Sequence, residues 1–145
     1  MSKPRLTWQY AVDPRDDDIT ALRHELRGYN MAHRVAHDRE TLAWFIHDAA
    51  GALVGGIVGE RWGAVLEIDF LWLAEDLRGQ GIGHELLTRM EQAGYAHGAR
   101  LATLDSFSFQ APQFYRDHGY EPFGEIDGYP DGHRRLFFRK VLCGR

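Results

Sequence analysis

Cysteine is almost missing from this chain. Cys143 stands alone among 145 residues, so no internal disulfide can form, which suits a reducing compartment. Positive charge is not in excess either. Seventeen Lys and Arg against 21 Asp and Glu leave a formal net charge of −4, which argues against a nucleic-acid binder, because phosphate neutralisation needs a concentrated basic face. Long hydrophobic runs are lacking, and none approaches the roughly 18 residues of a membrane span. No basic stretch leading into an apolar core occupies Met1–Tyr10, so no secretory signal is read there. A cytoplasmic protein with no nucleic-acid and no membrane partner is the expectation. Repeats, low-complexity tracts and Pro/Gly/Ser linkers are also absent, which predicts one domain over residues 1–145.

What is present fits a soluble globular domain with a real core: 44% hydrophobic and 26% charged residues. Leu6, Trp8 and Tyr10 alternate with polar residues and predict a strand. Asp16, Asp17 and Asp18 offer a helix start, and Ile19, Leu22 and Leu26 give it an apolar stripe toward Tyr29. Strands are predicted over Leu42–His47, Leu53–Glu60 and Val65–Leu73, joined by the turns Asp48–Gly51 and Trp62-Gly63 as an antiparallel meander. Leu86, Leu87, Met90, Ala93 and Gly94 then recur at helical spacing. A strand at Leu101–Leu104, a short helix at Ala111–His118 and strands at Glu121–Ile126 and Leu136–Leu142 complete the order. The fold class is α+β with a mixed sheet of about seven strands, since strands joined by crossover helices tend to run parallel.

Chemistry concentrates at Arg78-Gly79-Gln80-Gly81-Ile82-Gly83. Alternating glycines let the backbone turn tightly and approach a ligand, and the helix beyond them directs unpaired N–H groups and its positive dipole end at the same point. A phosphate or pyrophosphate suits such a corner, and Arg78 adds a full charge. Two familiar loops fail on residues. A dinucleotide fingerprint puts its third glycine where His84 stands, and a triphosphate loop needs Gly-Lys-Ser/Thr where Gly83 is followed by His84 and Glu85. A plain helix-opening turn without a ligand stays open at this level.

The stretch from Leu71 to Gly83 resembles motif A of the GNAT superfamily of acyl-CoA N-acyltransferases, whose core Arg/Gln-x-x-Gly-x-Gly/Ala is met by Arg78, Gly81 and Gly83. The order of elements matches that family over nearly the whole chain. The resemblance implies a mostly antiparallel sheet splayed between its fourth and fifth strands, Val65–Leu73 and Leu101–Leu104. It implies acetyl-CoA as co-substrate and no metal. Backbone N–H groups from Gly79 to His84, Ile82 among them, would hold the pyrophosphate, and the main chain of Leu71, Trp72 and Leu73 would pair with the pantetheine arm. Ala111–Tyr120 is similar to the family's motif B, which makes Tyr115 the general acid for the departing thiolate. Where many members carry Asn, three residues before the Ala that opens this helix, this chain has Ser108, whose hydroxyl reproduces only part of an amide's hydrogen bonding.

An attacking amine must lose a proton. Glu67 and Asp69 sit two apart on one strand and share a face, and neighbouring carboxylates can raise one pKa toward neutrality. Glu67, four residues before Leu71, resembles the glutamate base of the family's histone-type members. Their bland reading is the solvent side of a strand. The resemblance also implies an acceptor site near Arg27–Asp38 and Gly128–His133, with Tyr29, Asn30 and Tyr129 as candidate substrate contacts, and with Asp69, Asp105 or Asp127 to hold a second positive charge. His33 and His37 are four apart but have no third placed ligand, so no metal is expected. The expected activity is direct transfer of an acetyl group to a primary amine of a small molecule. The rivals are an acetyl-CoA sensing module, a protein-lysine acetyltransferase, and a nucleotide-binding enzyme built on the glycine loop. Homodimer formation is a further implication of the family.

Overall fold

The computed structural model describes residues 2–33 and 37–144. It divides into two compact units, Met1–His37 and Asp38–Arg145. The described part of the first carries the α-helix α1 (Asp16–Met31), opened by Asp16, Asp17 and Asp18 in its first turn, where carboxylates favour the positive end of the helix dipole. The strand predicted over Leu6–Tyr10 is not formed. Alternation supplies an apolar face, but a strand also needs a ladder partner, and these residues have none among the described residues.

The second unit holds one sheet of six strands rather than about seven: β1 (Arg39–His47), β2 (Leu53–Trp62), β3 (Val65–Leu73), β4 (Leu101–Phe107), β5 (Glu121–Ile126) and β6 (Arg135–Val141), in the spatial order β1-β2-β3-β4-β6-β5. Two helices interrupt it in sequence, α2 (Ile82–Ala96) and α3 (Pro112–Asp117). Every pairing is antiparallel except β3 with β4. That exception comes from connectivity, because α2 carries the chain back across the sheet and returns β4 in the direction of β3.

Period-2 patterning builds the buried face. Gly55, Ile57, Gly59 and Arg61 of β2 point inward, as do Leu66 and Ile68 of β3. Against them α2 lays Gly83, Leu86, Leu87, Met90 and Gly94, the three- and four-residue spacing of one helical face. Leu87 and Met90 are wholly buried, each contributing roughly 1.5–3 kcal/mol of transfer free energy. Gly94 has a packing role: a Cβ there would stand 2.8 Å from Leu66 Cδ2. The absence of a side chain lets α2 lie close to β3.

Two irregularities in β3 shape the cleft beside it. The parallel ladder with β4 comprises only Val65–Leu101, Leu66–Ala102 and Glu67–Thr103. Beyond Glu67 the strands separate, although β3 runs on to Leu73 and β4 to Phe107. This is the expected splay. Opposite β2 the register steps from Gly59–Ile68 to Val58–Phe70, leaving Asp69 as the extra residue of a β-bulge. The buried side of β3 therefore switches parity, from Leu66 and Ile68 to Leu73.

Candidate active site

The splay opens a cleft of about 650 Å³ between β3 and β4, closed at one end by the start of α2 and roofed by α3. Its floor on the β3 side is Asp69–Leu73; Arg78, Gly79, Gly81, Gly83 and His84 form one end; Asp105, Ser106, Phe114 and Tyr115 face them.

The loop end is built from backbone. Gly79 and Gly81 have φ of +74° and +82°, and a Cβ on either would meet nothing within 4 Å. Conformation, not crowding, demands glycine there. Gly81 caps α2, whose first internal hydrogen bond runs from Glu85 N to Gly81 O at 3.1 Å. None of the N–H groups from Gly79 to His84 is bonded among the described residues, which leaves a row of donors beside the positive end of α2. Gly83 is tight for a different reason, since a Cβ would approach Phe114 Cζ to 3.1 Å. Arg78 donates from Nε to the Leu73 carbonyl at 3.1 Å and so ties the loop to the end of β3. Leu71, Trp72 and Leu73 pair with β2 on one edge. On the other edge β4 has departed, so the groups of β3 that point away from β2 have no strand opposite them.

The opposite end is built from side chains. Tyr115 packs edge-on to Phe114, with ring centroids 5.1 Å apart. Burial, with Asp105 nearby as a smaller contribution, pushes its phenol above the ordinary tyrosine range, so it keeps its proton at neutral pH. Burial also raises the Asp69 carboxyl, and Glu60 on the neighbouring strand adds to the shift. Asp105 accepts a hydrogen bond from Arg135 Nε at 2.8 Å, and the charge of Asp105 is thereby matched.

Both the sequence and the fold that carries this cleft have known counterparts. A family model described as the Acetyltransferase (GNAT) family matches residues 5–120. The chain belongs to the GNAT acetyltransferases. It is 33% identical over 133 residues to the blasticidin-S acetyltransferase of Streptomyces morookaense, covering 91% of this chain and 92% of that one. The crystal structure of an acetyltransferase from Bacillus cereus ATCC 14579 superimposes with a TM-score of 0.75 at 34% identity, over 92% of this chain and 98% of that chain. An aminoglycoside 6'-N-acetyltransferase solved with coenzyme A shares the fold, with a TM-score of 0.64 at 18% identity over 73% of this chain and 75% of that one.

The residues expected from sequence divide three ways in this GNAT chain. Leu71, Trp72, Leu73, Arg78, Gly79, Gly81, Gly83, His84, Asp69 and Tyr115 all line the one cleft. Glu67, Ile82, Ser108 and Tyr129 do not. Glu67 lies opposite Glu60 in the β2–β3 ladder, before the bulge that brings Asp69 to the cleft wall. Ile82 lines a separate groove with Trp44 and Phe45, though its N–H belongs to the donor row. Ser108 is committed elsewhere, accepting from Arg134 N at 2.9 Å and lying 3.0 Å from His133 Nδ1. Tyr129 packs edge-on to Phe107 at 4.9 Å. Tyr29 and Asn30 fall on α1 of the first unit, and residues 34–36 of that acceptor stretch lie outside the described residues. Sequence reasoning missed Phe70, Ser106 and Gln110, which also line the cleft. Phe70 stands next to the bulge of β3 and Ser106 on β4 beyond the end of the parallel ladder, and neither position is visible as a motif.

Proposed function

We propose that this chain is an acetyl-CoA-dependent N-acetyltransferase acting by direct transfer on a primary amine of a small, cationic molecule. The observation that carries the reading is the cleft itself: unbonded N–H groups from Gly79 to His84 stand at one end, and Asp69 and Tyr115 at the other. The donor row suits a diphosphate, and the unpaired edge of β3 over Leu71–Leu73 suits an extended arm bearing amides. Acetyl-CoA supplies an acyl group activated as a thioester. Tyr115 holds the proton that a leaving thiolate takes up. Asp69 accepts the proton of the incoming ammonium, a role its raised pKa favours. Glu67, outside the cleft lining, adds negative potential along the same strand. With Arg135 matched by Asp105, Asp69 is the cleft-wall carboxylate without an ion-pair partner among the described residues, which favours a positively charged acceptor.

The relationship to a blasticidin-S acetyltransferase puts that antibiotic first in an acceptor panel, followed by aminoglycosides, streptothricin-type compounds, polyamines and a lysine peptide. A thiol-release assay with acetyl-CoA tests the reading. Turnover is expected with a small cationic amine, and loss of turnover in Tyr115→Phe with coenzyme A binding retained. Full turnover by Tyr115→Phe overturns the acid role. Coenzyme A binding with no turnover across the panel would favour the sensing module.

A further inference from the structure

A polar chain leads away from the cleft through the interior and is not explained by acetyl transfer alone. His84, on the first turn of α2, places Nδ1 2.9 Å from Nδ1 of His118, the residue closing α3. The rings are nearly coplanar, at 14°, with centroids 5.1 Å apart. That separation exceeds the nitrogen gap by about two ring radii, so the two nitrogens meet edge to edge. On its far side His118 Nε2 lies 3.3 Å from Glu91 Oε2. Tyr120 donates to Glu91 Oε2 and Lys140 to Glu91 Oε1, both at 2.8 Å, and Lys140 also donates to the His118 carbonyl at 3.0 Å. The side chains of His118 and Glu91 are only 11% and 12% exposed.

The arrangement fixes the protons. Burial pushes the Glu91 carboxyl up, but hydrogen bonds from His118, Lys140 and Tyr120 prevail and hold it below its ordinary range. Glu91 is an anion and accepts only, so His118 Nε2 carries a proton. In the neutral pair His118 Nδ1 is then a lone pair, and His84 Nδ1–H must donate to it. His84 Nε2 is consequently the free lone pair, on the ring edge away from His118. A second proton at Nε2 turns that lone pair into a charged donor, with Glu91 as counter-charge through His118. Other groups around His84 do not replace it. On α2, Glu85 is paired with Arg89 at 2.8 Å. On the neighbouring loop Arg78 is tied to Leu73 O. From β4 and α3, Asp105 is matched by Arg135 and Tyr115 keeps its proton. Asp117 accepts from Gln113, and Lys140 of β6 is spent on Glu91.

We propose that His118 and Glu91 are positioning residues that make His84 a proton-gated phosphate contact, so that docking of a phosphate at the start of α2 draws one proton from solution onto His84 Nε2. The inference rests on the proposed coenzyme reading, because His84 lines the same cleft.

Calorimetry with 3'-dephospho-coenzyme A tests it, since that diphosphate has no ionisation of its own near neutrality. Titrations in buffers of different ionisation enthalpy, from pH 6 to 9, report proton uptake directly. The wild type should take up as much as about one proton per molecule bound, with affinity falling up to about tenfold per pH unit on the alkaline side. His84→Asn should bind with no uptake and a flat profile. His118→Phe should shift the uptake midpoint to lower pH, and His118→Asn, whose amide oxygen can replace Nδ1 as acceptor, should recover affinity but not the Glu91 coupling. Melting curves establish that each variant is folded; if His118 variants do not fold, Glu91→Gln carries the same test. Binding without proton uptake, or identical profiles for the wild type and His84→Asn, overturns the gate while leaving the coenzyme reading intact. No binding at any pH overturns both.

Discussion

The two ends of the cleft are built by different means, and on the proposed function they would hold their ligands differently. From Gly79 to His84 the working groups are main-chain N–H donors, presented by two glycines at positive φ and the first turn of α2. At the other end the groups proposed to act are side chains, Asp69 and Tyr115, placed by a bulge and by a short helix. Backbone donors tolerate substitution so long as φ is kept, and they recognise a phosphate without regard to what it is attached to. Side chains do chemistry and choose an acceptor, so one substitution there removes the function of the group. The difference teaches that binding of the donor and turnover should be separable by mutation.

The largest effect should come from Asp69→Asn. Turnover is expected to fall roughly 100-fold or more, the scale of a lost general base, while calorimetric affinity for coenzyme A stays unchanged. A drop in affinity with turnover intact would erase the distinction between the two ends. Next in size is Gly81→Val. A branched residue forced to φ near +82° costs about 1–2 kcal/mol, which should weaken coenzyme A binding about tenfold and leave saturated turnover close to wild type. The pH profile sharpens the same contrast. Asp69 is raised, so it stays protonated to higher pH than an ordinary carboxyl and cannot act as a base there. The rate should therefore climb with pH along a limb above the ordinary value of about 3.9, and that limb should vanish in Asp69→Asn. The smallest change belongs to Glu67→Gln, expected to alter turnover by only about twofold to threefold through solvent-screened charge.

Legibility in the sequence divides along the same line. The loop end could be read because it is local: Arg78, Gly81 and Gly83 are close in sequence, and a helix with regular apolar spacing comes directly after them. The bounds expected for β3 and β5, Val65–Leu73 and Glu121–Ile126, are those of the strands formed. The acceptor end is made by residues brought together from β3, β4 and α3. A one-residue bulge cannot be seen as a motif, and it decides that Asp69 rather than Glu67 reaches the cleft. Ser108 illustrates the converse. Counting from Ala111 put it at a coenzyme position, but its hydroxyl is taken by Arg134 N and His133, and Ser106 stands on the cleft wall instead. The apolar alternation at Leu6–Tyr10 read as a strand because periodicity reports a face, not a partner.

The most direct test is an amide-resolved one, in which uniformly 15N-labelled protein is titrated with coenzyme A and backbone shifts are monitored. The largest changes should fall on the N–H groups from Gly79 to His84 and along Leu71–Leu73, with little movement at β5 or the far end of α2. Saturating coenzyme A that leaves those amides in place, or moves a different surface, would contradict the assignment of the cleft.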